Sequence, residues 1–285
     1  MLKLGHMKKI LAISGGLDSM VLLHQFRHDP DVIVAHFNHG TRPSADDDQK
    51  FVGQAAADYR LSFETENFSL GATVSEAAAR AARYQFLFRL ADQYDYALIY
   101  TAHHANDVLE SIAINLLRGT GWRGLAPLNH PRICRPLLTC SQADLHRYAA
   151  THQIIFRQDP TNFEDAYLRN RLRPLLAALS PAIQTELLGL YYHQIRLKSD
   201  IAALTEELLP SDQLYYRSWF INLPDPVALE LLRFATRRSG FSLTRPQIQD
   251  FLIAIRTYLP GKFFNLPDGQ LIKIHQKYFQ LPALP

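Results

Sequence analysis

The stretch Ile10-Leu-Ala-Ile-Ser-Gly-Gly-Leu-Asp-Ser19, continued by Met20-Val-Leu-Leu23, constrains this chain more than any other. Ile10 to Ile13 is a short, wholly apolar run, as expected of a strand buried on both faces of a parallel sheet. Ser14, Gly15 and Gly16 follow with little side chain and a permissive backbone, so their amides can close around a ligand. Asp18, Ser19 and the Leu22-Leu23 run then open a helix. A strand, a glycine turn and a helix N-terminus together make an anion site, because uncapped amides and the helix dipole both favour phosphate. The loop lacks the lysine of G-x-x-x-x-G-K-S/T, and it is not the dinucleotide pattern G-x-G-x-x-G. A glycine turn that only reverses the chain is the structural alternative.

At 285 residues, 47% hydrophobic and 20% charged, the chain has length for one large domain or a large and a small one. No apolar run approaches the ~20 residues a membrane span requires. No signal peptide precedes the first strand, and the cysteines are two, Cys134 and Cys140. Both facts point to a reducing cytoplasm. Met7 reads as the natural start, with Met1 to His6 dispensable. The net charge of +3 says little, but its distribution is uneven. Arg118, Arg123, Arg132 and Arg135 occur in a stretch without an acid, and Arg169, Arg171 and Arg173 form a second group. Such clusters suit a phosphate-rich partner, or simply a solvated basic face.

Val32 to Phe37 reads as a second buried strand, ending in His36-Phe-Asn-His-Gly-Thr-Arg42. Ligands of open α/β sheets bind where parallel strands end, which favours a nucleotide-side role for Asn38, His39 and Arg42. His36 is equally explained by local hydrogen bonds. Asp46-Asp-Asp48 opens a helix through Tyr59, its acids suiting the dipole. Phe63 to Phe68 is a third, more exposed strand. Thr73-Val-Ser-Glu76 matches a capping box before an alanine-rich helix. Arg80, Arg83 and Tyr84 lie on adjacent faces of that helix and fit scaffold and function equally.

Ala97 to Ala102 is the next buried strand, and His103-His-Ala-Asn-Asp-Val-Leu-Glu-Ser111 leads into a helix. Asp107 and Glu110, three apart, are either a capping box or, beside two histidines at a strand end, a pocket for an amine or a metal. Glycines at 119, 121 and 124 would let this turn and loop come close to a bound ligand, with Arg118 and Arg123 positioned by it. Arg135 to Leu138 continues extended, and Cys140-Ser141 opens a helix reaching about Gln153. Gln158 to Asn162 is a turn. Ser180-Pro181 starts a helix that Pro210 stops, roughly 40 Å long. Beyond it, Asp225-Pro226 and Thr244-Arg-Pro246 start two more helices. Lys262 to Leu266 and Leu271 to Leu281 read as two strands turned by Pro267-Asp-Gly269.

Ser14 to Ser19 resembles the pyrophosphate loop of the ATP pyrophosphatases, which split ATP into AMP and pyrophosphate and use the loop aspartate to help hold magnesium. Further matches follow in order: His36-Phe-Asn-His39 with Arg42, Glu76 to Tyr84, and Thr101-Ala-His-His104 to Glu110. Arg118 to Leu125, Arg135 to Leu138, and Asp159-Pro-Thr-Asn162 to Arg173 complete the series. Over roughly residues 8 to 180 the chain is similar to the tRNA(Ile)-lysidine synthetase family. Where that family usually shows Asp-Asp-Gln-x-Glu-Thr, this chain has Asn106 and Val108 but keeps Asp107 and Glu110.

The resemblance implies an α/β fold: a doubly wound, mostly parallel sheet of the adenine nucleotide α-hydrolase kind. A catalytic domain over 7–180, a linker helix over 181–210 and a small, mainly helical docking domain with a hairpin over 211–285 are expected. It implies ATP and magnesium as cofactors, and L-lysine and isoleucine tRNA with a CAU anticodon as partners. Ser14, Gly15, Gly16, Leu17, Asp18 and Ser19 would hold ATP and pyrophosphate with Asn38, His39 and Arg42, and Asp18 would hold the metal. Asp107 and Glu110 would bind lysine. Arg118 and Arg171 would stabilise phosphate charge or hold RNA backbone. Arg80, Arg83, Arg123, Arg132, Arg135, Arg169 and Arg173 would contact tRNA. Whether two copies form a homodimer is left open. The rivals are a tRNA thiolase, which would normally need paired cysteines, and a catalytically silent RNA-binding protein.

Overall fold

The computed structural model describes residues 7–40, 45–67, 76–157, 168–210, 212–267 and 269–282. The chain divides into two units, Met1–Ile195 and Arg196–Pro285. In the first, strands β1 (Lys9–Ala12), β2 (Val32–Asn38), β3 (Ser62–Asn67), β4 (Leu98–Thr101) and β5 (Ile133–Cys134) form one sheet in the order β3-β2-β1-β4-β5. Every pairing is parallel. The helices are α1 (Leu17–Phe26), α2 (Ala45–Asp58), α3 (Glu76–Gln93), α4 (Ala105–Leu117), α5 (Gln142–Thr151) and α6 (Leu168–Ala177).

Successive strand residues point to opposite faces, and here both faces are covered. Leu11 and Val34 pack with Leu22, Val52 and Leu145 of α1, α2 and α5. Ile10, Ile33 and Ile99 pack with Phe86, Leu87 and Leu90 of α3. That is why β1 and β2 are apolar throughout rather than alternating. The strand order reverses at β1, and β1 ends level with β4, Ala12 lying opposite Thr101. The loops after these strands therefore emerge together, at the place where open α/β sheets bind ligands.

Two readings for this unit are corrected. Arg135 to Leu138 is not extended: Pro136–Thr139 forms a 3-10 turn, with proline's fixed φ suiting its start and Leu137 buried beneath it. Asp107 and Glu110 do not form a capping box with each other. The cap is one frame earlier, at His104, whose backbone N–H donates to Asp107 Oδ2 at 2.9 Å. The stretch before Pro174-Leu-Leu is helical, and α6 runs through Pro174 even though proline cannot donate its backbone bond. The expected Thr73 cap and the Gln158 to Asn162 turn lie outside the described residues, as does the side chain of Glu76.

Helix α7 (Pro181–Leu208) begins at Ser180, whose Oγ accepts from the Ile183 N–H at 3.4 Å. The second unit continues with β6 (Leu214–Tyr216), α8 (Arg217–Asn222), α9 (Asp225–Arg238) and α10 (Arg245–Thr257). Strands β7 (Phe263–Asn265), β8 (Leu271–Lys273) and β9 (Tyr278–Gln280) complete it. β7 and β8 form the expected antiparallel hairpin. The anticipated long strand from Leu271 to Leu281 is instead two short ones. His275 N–H donates to Tyr278 O at 2.9 Å, so the chain turns back and β9 pairs with β6. The core is aromatic, with Tyr215 stacked on Phe279, and Phe220 and Phe251 against the same ring. No helix among the described residues is long and apolar enough to cross a membrane.

Candidate active site

The loop between β1 and α1 is folded around one serine. Ser19 Oγ accepts from the N–H groups of Ser14 and Gly15 at 3.2 and 3.1 Å and donates to Gly16 O at 2.8 Å. Gly15 has φ +93°, a conformation that side-chain-bearing residues rarely adopt. Gly16 caps α1 without a side-chain hydrogen bond, so no side chain competes for the amides of the first turn. The loop lines a cavity of about 780 Å³ together with residues from the ends of β2 and β4 and from α4 and α6.

Asp18 lies on the wall of this cavity. Its Oδ2 lies 3.6 Å from His104 Nε2, which is also 3.7 Å from Asp107 Oδ2. His104 is itself fixed, its Nδ1 accepting from the Asn106 N–H at 3.2 Å. Burial raises the pKa of Asp18 above the usual carboxylate range, Asp107 adds to the rise, and His104, His146 and Arg173 oppose it. Asp18 Oδ1 is buried and has no hydrogen-bond partner among the described residues. An unsatisfied carboxylate oxygen beside a phosphate-type loop fits magnesium, which is commonly held by one or two carboxylates and the phosphates of its substrate. Among the described residues no group of three or more His, Cys, Asp or Glu side chains is arranged to hold a metal by itself.

Glu110 projects from α4 into the same cavity and is only 3% exposed. Arg173 Nε donates to its Oε1 at 2.8 Å, and Arg169 Nε lies 3.3 Å from Oε2 without making a hydrogen bond. Burial still raises the Glu110 pKa, against the pull of both arginines. Spacing alone allowed Asp107 and Glu110 to share a face. Its partners from α6 came from a distant part of the chain and had no local signal.

His103 is kept neutral: burial, and the charges of Arg135, Arg80 and Arg83, lower its pKa to about 3 against the opposite pull of Asp107. Arg80 and Arg83 lie over the Tyr84 ring at 5.0 and 5.6 Å, so these three residues and Arg135 form one basic corner beside His103. Arg135 is part-buried; its Nη1 donates to Ile133 O at 3.3 Å, while the Tyr84 hydroxyl accepts from Arg80 Nη2 at 3.3 Å. Arg132 pairs with Asp92 and covers Phe88 and Tyr96, on an outer face. Arg123 lies over Trp122, and Arg118 is an exposed C-cap of α4. Arg171 is exposed.

Asn38 and His39 line the cavity, as does His36, whose Nδ1 donates to Ile13 O at 2.9 Å. The Asn38 amide is committed to the scaffold: it donates to Asp46 and Gln49 and accepts from the Gly40 N–H. Arg42 lies outside the described residues. Sequence reasoning overlooked Gln142, His146 and Arg157, all on the cavity wall. It also took Asp48 only for a helix-dipole acid, whereas it is buried and paired with Arg157 Nε at 3.1 Å. No nearby motif flagged these residues.

Comparison with known proteins places this geometry. A tRNA(Ile)-lysidine synthase of Streptococcus gordonii is 30% identical over 292 residues, covering 95% of this chain and 66% of that protein. The corresponding synthases of Thermotoga maritima and Chlorobaculum tepidum are 29% and 35% identical over 246 and 185 residues, covering 80% and 59% of this chain. The chain spans 59% and 56% of the length of those two proteins, so less than two thirds of any of the three. Among solved structures, a U34-tRNA thiolase from Methanococcus maripaludis shares the fold, with a TM-score of 0.56 at 17% identity over 67% of this chain and 72% of the other. The family model described as the PP-loop domain matches residues 1–179. With that match over the sheet, the glycine loop and the carboxylate wall, the chain belongs to the PP-loop domain family.

Proposed function

We propose that this chain uses ATP to join lysine to the C2 carbon of the wobble cytidine of an isoleucine tRNA with a CAU anticodon. The C2 oxygen of cytosine is a poor leaving group and must first be activated. It attacks the α-phosphorus of ATP, the bond from that phosphorus to the bridging oxygen breaks, and pyrophosphate leaves into the Ser14 to Ser19 loop. The side-chain amine of lysine then attacks C2 and loses a proton. The C2–O bond breaks, and AMP departs with the oxygen.

Each residue group has a part in this scheme. The amides of the first turn of α1 and the helix N-terminus receive charge that builds on the departing phosphates. Asp18 would hold magnesium, which when bound supplies positive charge against those phosphates. Asp107 and Glu110 hold the amines of lysine. His39 bounds the nucleotide side and Asn38 shapes that wall; Arg42 is assigned to the nucleotide by its place in the sequence motif. Arg118 and Arg171 offset phosphate charge or hold the RNA backbone. Arg80, Arg83, Arg123, Arg132, Arg135, Arg169 and Arg173 are assigned to the tRNA, whose anticodon bases are splayed into the cavity as single-stranded loops permit. The second unit docks the same tRNA, and the reaction belongs to the cytoplasm.

The observation that carries this proposal is that a phosphate-type loop and two under-satisfied carboxylates open onto one cavity. The test is incubation with ATP, radiolabelled lysine and unmodified isoleucine tRNA. Label should enter the tRNA with the wild type and fall close to background with Asp18→Ala. Pyrophosphate release with no lysine-dependent labelling would sink the proposal.

A further inference from the structure

Arg173 and Glu110 line not only the large cavity but also a second, open one of about 230 Å³, lined further by Asn106, Gln142, Pro174, Leu176 and Ala177. Their hydrogen bond is thus a partition between a space suited to a nucleotide and a smaller one with an apolar wall. The two partners are unlike in exposure. The Glu110 side chain is 5% exposed and Arg173 is 41% exposed on a long stem, so Arg173 is the partner free to move.

Resting on the lysine-ligase proposal above, we infer that Arg173 is a stand-in for the substrate ammonium, which must displace it from Glu110 before the site is complete. Glu110 Oε2 makes no hydrogen bond among the described residues, its neighbour being Arg169 Nε at 3.3 Å, so the carboxylate keeps acceptor capacity for an ammonium that takes the place of Arg173. Were Arg173 to stay, Arg169, Arg173 and the new cation would crowd one buried carboxylate, and like charges in a poorly solvated site repel strongly. The side wall of Pro174, Leu176 and Ala177 suits the aliphatic stem of lysine. Once released, Arg173 remains within electrostatic reach of Asp18, in the cavity that would receive the triphosphate. Its charge then passes from a carboxylate to phosphate. Amine binding and nucleotide binding are thereby coupled through one side chain.

Arg173 is on this account a positioning residue, and its removal has an unusual sign. A merely structural arginine, once removed, would weaken lysine binding. A displaced stand-in, once removed, should strengthen it. Calorimetry with L-lysine and a non-hydrolysable ATP analogue separates the two. For the wild type, lysine affinity should rise about tenfold when the analogue is saturating, with the reciprocal effect of lysine on the analogue. Without nucleotide, Arg173→Met should bind lysine about tenfold more tightly than the wild type, and the coupling should shrink toward unity. Arg173→Lys, which keeps a cation beside Glu110, should return lysine affinity toward the wild-type value. Lysine binding to the wild type that ignores the analogue overturns the inference without recourse to any variant, as does weaker lysine binding by Arg173→Met. Failure of lysine to bind the wild type under either condition is a different result: it overturns the ligase proposal itself, and this inference with it.

Discussion

Arg217 in the second unit and Glu110 in the first are both charged and nearly buried, at 8% and 3% exposure, yet their surroundings differ. Arg217 donates through Nε, Nη1 and Nη2 to the carbonyls of Ile255, His275 and Tyr258, at 2.8, 3.1 and 3.0 Å. Two of those carbonyls belong to the C-terminal end of α10, where a cation also meets the negative end of the helix dipole. Glu110, by contrast, has one oxygen bonded and one without a hydrogen bond, and Asp18 likewise has a buried oxygen left over. Both lie on the wall of a cavity. A buried charge with its hydrogen bonds filled serves the fold. One that keeps an oxygen without a hydrogen bond at a cavity is a place for a ligand, because leaving that oxygen unfilled costs stability that packing alone has no reason to give up.

The largest effect that could break this contrast is on Asp18. Asp18→Asn should lower the rate of lysine incorporation into tRNA by about 10²–10³-fold, the scale for losing one electrostatic stabiliser. Its melting temperature should stay level or rise, since a strained functional charge is removed. A fall in melting temperature would put Asp18 with the structural charges. Arg217→Met should behave in the opposite way. It leaves buried carbonyls without donors and should cost roughly 2–3 kcal/mol in urea unfolding, with nucleotide affinity little changed.

A smaller effect sharpens the phosphate side. At Gly15 an added Cβ would meet Val52 Cγ2 at 3.4 Å, an ordinary contact, so the obstacle to alanine is the φ of +93° and not a clash. Gly15→Ala should therefore cost about 1–2 kcal/mol of backbone strain. If that strain is relieved by shifting the loop, affinity for ATP should fall by about tenfold. An alanine variant that binds ATP normally would mean that the amides of this loop do not hold the nucleotide.

Much of the first unit could be read from local pattern, because its determinants are local. The apolar runs at Ile10, Val32 and Leu98 are strands covered on both faces, and such strands need no partner elsewhere in the chain to be recognised. The carboxylates Asp18, Asp107 and Glu110 stood out for the same reason, as they sit at helix starts just past those strands. What could not be read was contributed from far away. Arg173 reaches Glu110 across 63 residues, and Arg157 reaches Asp48 from a segment with no motif of its own. The helix that carries both Glu110 partners contains Pro174, so no clean helical signal marked it in the sequence. In the second unit the Leu271 to Leu281 run alternated well enough for one strand. Its division depends on the pairing of β9 with β6, which begins more than fifty residues earlier.

The smallest predicted effect sets the two buried charges against each other by pH. The folded-state pKa of Glu110 is raised by burial, so the folded protein holds that proton more firmly than the unfolded chain does. Its contribution to stability is thus fully present below the unfolded value and is lost as pH rises through the folded one. Measured as urea midpoints from pH 4 to 7, the wild type should lose ground against Glu110→Gln as pH increases. Over the same window the gap between wild type and Arg217→Met should stay flat, since arginine keeps its charge throughout. A Glu110 gap that widened in favour of the wild type with rising pH would reverse the sign. The Arg173 hydrogen bond would then outweigh burial, Glu110 would be a structural ion pair of the Arg217 kind, and an incoming amine would have little reason to displace its partner.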